Sequence, residues 1–162
     1  MTEPFATTFR ARWGEMDFNG HMRNTAYLDV SGHVRMVYFD AHGFSMRRFE
    51  ELRLGPVVTK DEIEYFRELR LLEEMTVTLA LAGVSESSVR FRLRNEFFDG
   101  RKKLVARVTS TGGWFDLAAR KLTAPPGELA ALVRALERTP DFQEMPERLR
   151  DEVARRAAPG GA

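Results

Sequence analysis

Two carboxylates and an imidazole lie close together near the start of the chain, at Glu15, Asp17 and His21. The residues before them alternate between apolar and polar, as in a strand, and the residues after them have helical spacing. Carboxylates act as nucleophiles or general bases, and amides at a helix N-terminus stabilise developing negative charge. A strand-to-helix loop holds both kinds of group. This arrangement predicts attack on a polarised carbonyl group.

A calcium loop is one alternative for the same residues. Glu15, Asp17 and Asn19 at alternate positions, with Gly20 sixth, imitate the opening of an EF-hand. An EF-hand needs a bidentate glutamate at its twelfth position, which is Ala26 in this chain. The sequence therefore disfavours calcium.

A transition-metal site is a second alternative, built from Glu15, Asp17 and His21. The other two histidines, His33 and His42, fall in the predicted helix and have no suitable spacing. We therefore expect no metal and no cofactor.

A purely structural loop is the third alternative, and spacing alone leaves it open. Asp17 then accepts backbone amides in an Asx-turn, Asn24 caps the helix, and His21 is a satisfied polar group. Asn24 can be the cap even if Asp17 is catalytic.

Composition narrows the function classes. The chain has 162 residues, which suits one core, and its net charge is +1, which argues against a dominant nucleic-acid-binding surface. It has no cysteine, so disulfides and thiolate chemistry are excluded. No apolar run approaches the roughly 20 residues of a membrane span, and no secretory signal is visible. We expect a cytoplasmic protein without nucleic-acid or membrane partners. No G-x-S-x-G, P-loop or G-x-G-x-x-G motif occurs.

Periodicity predicts one strand, a long helix and a short helix, followed by four strands. The long helix begins near Asn24 and ends at Gly43, and Gly55-Pro56 is expected to end the short helix. Within the long helix, Gly32 is expected to meet another backbone closely. The predicted strands are residues 5–13, 57–66, 75–84, 88–98 and 104–115, and the short helix is residues 47–54.

Turn signals between the last strands, including Asp99-Gly100, predict consecutive hairpins and hence an antiparallel meander. Gly112-Gly113 predicts a bulge or a close backbone approach. Phe97, Phe98, Trp114 and Phe115 are expected in the core or at an interface. The fold class is α+β, with the sheet curled around the long helix.

Two helices are expected after the sheet, at 128–138 and within 140–156, and residues 157–162 are expected to fray. We divide the chain into a domain at 1–138 and a partly helical C-terminal extension at 139–162.

The loop carries the pattern D-x-x-G-H-x-x-N-x-x-Y, and a weaker pattern, I-x-Y-x-R, begins at Ile63. With the order of elements, residues 5–125 resemble the hotdog-fold acyl-CoA thioesterases of the 4-hydroxybenzoyl-CoA thioesterase-like family. The resemblance implies a five-stranded antiparallel sheet around one long helix. It also implies a homodimer or homotetramer with acyl-CoA sites at the subunit interface. The matching residues are Gly14, Asp17, Gly20, His21, Asn24 and Tyr27.

The resemblance places the catalytic carboxylate on Asp17 and the amide that polarises the thioester carbonyl near Asn24. His21 orients Asp17 or touches substrate, and Glu15 is a reserve carboxylate. Arg23, Tyr27 and Gly20 are the expected substrate-binding residues. Two of these positions depart from the family, because many relatives have aspartate in place of Glu15 and asparagine in place of Arg23.

Two rival functions remain at this point: a non-catalytic acyl-thioester-binding module, and a thioesterase acting on acyl carrier protein. Two basic clusters are candidate phosphate contacts for CoA, although a solvated sheet face and a charged edge that discourages aggregation explain them better. They are Arg90, Arg92 and Arg94 on one strand face, and Arg101, Lys102 and Lys103 in a hairpin.

Overall fold

The computed structural model describes residues 3–157. Four helices and seven strands follow one another in it, and one turn of 3-10 helix (Trp13–Glu15) lies in the loop before the first helix. In chain order they are β1 (Phe5–Arg10), α1 (Asn24–Ala41), α2 (Met46–Leu52), β2 (Leu54–Tyr65), β3 (Glu74–Ser85), β4 (Arg90–Asp99), β5 (Leu104–Asp116), β6 (Lys121–Leu122), α3 (Gly127–Arg134), β7 (Arg138–Met145) and α4 (Leu149–Ala157).

The sheet has five antiparallel strands in the order β1-β3-β4-β5-β2, and it curls around α1. This confirms the predicted α+β class and the hotdog arrangement. Two strands are added to the five, because β6 pairs with β5 and β7 pairs in parallel with β3. The meander prediction holds for β3, β4 and β5 only. β2 lies beside β5, so the chain crosses the sheet between β2 and β3.

The core lies between α1 and the concave face of the sheet. One face of α1 is apolar because such residues recur at three- and four-residue spacing, and it packs on the inward residues of β3, β4 and β5. Each fully buried side chain of this kind contributes about 1.5–3 kcal/mol. The buried apolar residues of α1 are Ala26, Tyr27, Val30, Val34, Tyr38 and Phe39.

Close backbone approach explains both glycines near the end of β5, as the sequence predicts. A Cβ on Gly112 would lie 2.0 Å from the carbonyl oxygen of Val57, and a Cβ on Gly113 would lie 2.7 Å from that of Val89. Phe97 and Trp114 are buried, as expected of core residues.

One sequence prediction about the end of an element is wrong. Gly55-Pro56 does not end α2, because Arg53 adopts the left-handed conformation with φ of 50° and β2 begins at Leu54. Pro56 is tolerated because β2 is an edge strand.

The short helix expected within 140–156 is present as α4. The sequence did not predict strand β7, which occupies the first part of that region, since β3 extends past the end of β1 and leaves backbone groups that β7 pairs with. β7 starts at Arg138, so it runs across the boundary placed after that residue. The residues expected to fray lie outside the described residues, except for residue 157.

Across residues 3–157, no helix combines the length and apolarity needed to cross a membrane.

Candidate functional site

Asp17 lies in a tight loop whose backbone holds its carboxylate. Oδ1 of Asp17 accepts hydrogen bonds from the amides of Asn19 at 2.8 Å and His21 at 3.1 Å. The loop is closed by the Asp17 amide, which donates to the carbonyl of His21 at 2.7 Å. Gly20 supplies the positive φ, 74°, that the turn requires. The Asx-turn of the structural alternative is therefore present, but it uses one carboxylate oxygen only.

The other oxygen of Asp17, Oδ2, has no hydrogen-bond partner within residues 3–157. Asp17 is exposed and lines a cavity of about 520 Å³. A fixed carboxylate with one free oxygen on a largely apolar wall suits attack on an acyl group. The other lining residues are Trp13, Gly14, Met16, Phe18, Gly20 and Leu71.

The first turn of α1 lies next in the chain, and it corrects the capping prediction. Arg23 occupies the N-cap position, so Asn24 is the first helical residue. The Asn24 side chain accepts from the Thr25 amide at 2.9 Å, which satisfies one donor of the first turn. The amide of Asn24 itself has no hydrogen-bond partner in the described part of the chain. It is therefore a free donor at the positive end of an 18-residue helix.

Arg23 ties the helix start to the Asp17 loop. Its Nε donates to Oγ1 of Thr25 at 2.8 Å, and its Nη1 donates to the carbonyl of Gly14 on the cavity wall. A longer contact of 3.6 Å joins Nη2 to Asp29. The guanidinium thus bridges the loop and the helix.

Glu15 lies only two residues from Asp17 but faces a different cavity, of about 440 Å³. It is buried, and its carboxylate accepts from the amide of Arg12 at 2.8 Å and from the Nε of Arg12 at 3.1 Å. The two acids are therefore separated, because Arg12 draws Glu15 to the other side of the loop.

His21 contacts Asp17 through its backbone amide and not through its ring. The ring Nε2 lies 3.0 Å from Oε2 of Glu68. Orientation of Asp17 by the imidazole is therefore not the arrangement present. Within residues 3–157, no three His, Asp or Glu side chains are grouped so as to hold a metal ion.

Tyr27 is buried beneath the loop, edge-on to Tyr65 at 5.6 Å and to Phe97 at 5.1 Å between ring centroids. Burial, then the charges of Tyr65 and Asp17, raise the pKa of Tyr27 to about 12. Its phenol therefore stays protonated at physiological pH.

The arginine cluster on β4 lies on the sheet face opposite α1 and is engaged in ion pairs. Arg90 and Arg92 bind Glu152 of α4, and Arg94 binds Asp141 of β7 at 2.7 Å. Sequence reasoning missed these partners and the pairing of His21 with Glu68, since none is near in the chain. The i,i+3 spacing of Arg12 and Glu15 was the one signal available.

A family model described as the thioesterase-like superfamily matches residues 11–136. The chain belongs to the thioesterase-like superfamily. Its match begins just before the Asp17 loop and ends after α3, so it contains the whole candidate site. By sequence, no curated protein matches the chain significantly.

Solved structures of similar fold include three whose names mention CoA. The protein SAV2348 of Staphylococcus aureus, studied in complex with CoA, has a TM-score of 0.77 at 20% identity, over 90% of each chain. Slr0204 of Synechocystis, a 1,4-dihydroxy-2-naphthoyl-CoA thioesterase, has a TM-score of 0.73 at 15% identity, over 83% of this chain and 98% of that chain. BH1999, a gentisyl-coenzyme A thioesterase, has a TM-score of 0.69 at 13% identity, over 77% and 98%. At these identities the likeness shows the fold.

Proposed function

We propose that this member of the thioesterase-like superfamily hydrolyses an acyl-CoA thioester to a free acid and CoA. The observation that carries the proposal is the carboxylate of Asp17 on the wall of an open cavity, where two amides fix Oδ1 and Oδ2 has no partner within residues 3–157. Superfamily membership and the CoA thioesterases among similar structures support thioester hydrolysis in general.

The amide of Asn24 is the proposed donor to the thioester carbonyl oxygen. It is unpartnered within residues 3–157 and lies where the dipole of α1 favours negative charge. A donor of this kind typically lowers the barrier by about 3 kcal/mol. In this proposal the Asn24 side chain keeps the first turn in place, and Arg23 and Gly20 fix the loop against it.

Asp17 acts through Oδ2 in one of two ways. As a nucleophile, it attacks the carbonyl carbon, the C–S bond breaks, CoA leaves as a thiolate that takes a proton, and water hydrolyses the resulting anhydride. As a general base, it takes a proton from water while that water attacks. Rapid acid quenching followed by intact-protein mass spectrometry distinguishes the two, because only the first adds the acyl mass to the protein.

The test is Asp17→Asn, assayed by CoA release from short, long and aromatic acyl-CoAs. The amide side chain keeps an acceptor for the two backbone amides, so we expect unchanged thermal stability and ligand affinity. Turnover should fall at least about 1000-fold, a barrier increase of about 4 kcal/mol. Turnover that survives in Asp17→Asn would remove Asp17 from the reaction. No CoA release from any substrate by the unmodified protein would contradict hydrolase activity itself.

We further propose a homodimer formed through β2, as the resemblance implies. Among the described residues, no strand pairs with the outer side of β2, which leaves 12 residues of edge backbone open. Antiparallel pairing of two β2 edges would place the 54–58 end of one protomer beside the Tyr65 end of the other. Exposed aromatic residues near the site, including Trp13, Phe18 and Phe66, would then have a covering surface. Light scattering after size-exclusion chromatography measures this mass directly. The cytoplasmic location remains a prediction.

A further inference from the structure

A separate cavity of about 290 Å³ lies between α1 and the concave face of the sheet, beside β2. Its wall is apolar except for one charged side chain, Arg35 of α1. The other lining residues are Gly32, Met36, Phe39, Pro56, Val58, Phe91 and Leu93. Pro56 and Val58 are exposed, so the cavity opens at the same strand edge that the proposed dimer uses.

Arg35 has a single polar partner in the described chain. Its Nη1 donates to Oγ of Ser110 at 2.8 Å, and that hydroxyl donates to Oδ1 of Asp61 at 2.5 Å. The Nε and Nη2 of Arg35 have no hydrogen-bond partner within residues 3–157. Burial lowers the pKa of Arg35 while the charge of Asp61 opposes that shift, and an arginine stays charged regardless.

Gly32 leaves room beside these free donors. The close backbone approach expected at Gly32 is absent, since the nearest heavy atom to a Cβ built there is Nη2 of Arg35, at 3.7 Å. A glycine within a helix costs about 1 kcal/mol relative to alanine. Gly32 therefore leaves an open space in front of the guanidinium of Arg35.

The cavity is too far along α1 to serve Asp17 of the same protomer with a short acyl group. Gly32 is eight residues beyond Asn24, about 12 Å along the helix axis. In the proposed β2-paired dimer, however, the cavity of one protomer lies beside the Tyr65 end of its partner. Tyr65 packs on Tyr27 in the first turn of α1. Arg23 at the start of this helix is bonded to Gly14 of the Asp17 loop. The acyl group bound at one protomer's Asp17 would then enter the partner's cavity.

We propose that Arg35 selects acyl groups that carry a neutral oxygen, hydroxyl or keto, near their far end. This inference rests on the proposed function. A hydrocarbon end would leave the free N–H groups of Arg35 without an acceptor in a space closed by the ligand. A carboxylate end would add a charge to a guanidinium that Asp61 already balances. A neutral oxygen accepts a hydrogen bond from Arg35, so it leaves no donor without an acceptor and adds no charge.

The experiment compares three acyl-CoAs of similar size: heptanoyl-CoA, 6-hydroxyhexanoyl-CoA and adipoyl-CoA. We expect kcat/KM for the hydroxyl compound to exceed that for its methyl isostere by about 10- to 100-fold, as one hydrogen bond to a charged group provides. Arg35→Met should reduce this ratio to about one. The matched control is Arg94→Met on the outer sheet face, which should leave the ratio unchanged. Arg35→Leu, which also lacks a donor, serves if Arg35→Met does not fold.

Equal rates for the three substrates, a preference for adipoyl-CoA, or a hydroxyl preference that survives in folded Arg35→Met would each overturn the inference. Calorimetric affinities for the same three ligands separate it from the hydrolase proposal. If turnover is absent but Arg35 still sets a hydroxyl preference in binding, the inference stands and the proposed activity fails. If the ligands do not bind, both fail.

Discussion

Two carboxylates in this molecule, Asp17 and Glu152, have opposite surroundings. Glu152 of α4 is buried against the outer sheet face, where Oε2 binds Arg90 and Oε1 binds Arg92 at 3.0 Å and Arg156 at 2.5 Å. Asp17 is exposed, with one oxygen held by two amides and the other free. The hydrogen-bonding capacity of Glu152 is largely used, and that of Asp17 is not.

The difference separates a structural carboxylate from a reactive one. A charge with several cationic partners fixes chain segments to each other and has little left for a ligand. Glu152 fixes α4 to β4, so Arg90 and Arg92, which the sequence offers as phosphate contacts, are engaged within the protein. Asp17 has one oxygen, Oδ2, available to react. Because its other oxygen is held by two amides, less conformational entropy is lost when the carboxylate reacts.

Glu152→Ala should give the largest effect on stability. It removes the partner of Arg90, whose side chain is 1% exposed. An uncompensated buried charge costs about 3 kcal/mol or more. Urea unfolding should show this loss, while kcat/KM toward acyl-CoA changes less than about twofold. The matched control is Glu144→Ala on β7. It should change neither the free energy of unfolding nor kcat/KM, because no ion pair involves Glu144 in the described chain. An activity loss as large as that of Asp17→Asn would break the comparison.

Most of the fold was predictable because its strands and long helix bury one face each. Val77, Leu79 and Leu81 alternate inward on β3, which identifies it as a strand from local sequence alone. β7 was not predictable, since its residues carry little strand periodicity and only Thr139 and Met145 are buried. It is a strand because β3 offers an open edge, and that is a property of distant residues.

Glu15→Gln sharpens the comparison inside the loop itself. Glu15 resembles Glu152 in being buried and paired with arginine, although it is two residues from Asp17. Losing its charge should lower the unfolding free energy only modestly, because the side chain of Arg12, its ion-pair partner, is 78% exposed and the pair is screened by water. Turnover should fall less than about tenfold, measured by CoA release at saturating substrate. A loss that matches Asp17→Asn would make Glu15 the catalytic acid instead.

The sequence could predict which loop forms the candidate site, but it could not predict which carboxylate in that loop is reactive. Residue type and spacing place Glu15, Asp17 and His21 in one loop, and they lie there. Which carboxylate keeps a free oxygen depends on two side-chain contacts. Arg12 bonds Glu15, and Glu68, in the segment that follows β2, pairs with the ring of His21. Side-chain partners of this kind depend on tertiary geometry, which spacing does not encode.

Protonation of Glu152 in acid should remove its contribution to the free energy of unfolding. The ion pairs of Glu152 set the pH at which this happens. Burial raises its pKa, but the hydrogen bond from Arg90 and the charges of Arg90, Arg156 and Arg92 outweigh this, and the net shift is downward. A lowered pKa in the folded state adds stability above the ordinary glutamate pKa of about 4.3, and this stability is lost as pH falls through the folded value. Urea unfolding of the unmodified protein and of Glu152→Gln, from pH 7 to pH 3, should show their difference shrinking below about pH 4.3. A constant difference would mean that the carboxylate charge is not what Glu152 contributes.

The smallest effect should come from His21→Ala, and it tests how Asp17 is held. The contact between these residues runs from the His21 backbone amide to Oδ1 of Asp17, and the substitution keeps that amide. What is lost is the ring contact with Glu68, a half-exposed pair worth less than about 1 kcal/mol. Turnover should therefore fall less than about fivefold, measured by CoA release at saturating substrate. The control is Glu68→Gln, which removes the same ion pair from the other side and should match it. A loss of 100-fold or more in His21→Ala alone would show that the imidazole meets the substrate, and that the free oxygen of Asp17 is not the only reactive group in the loop.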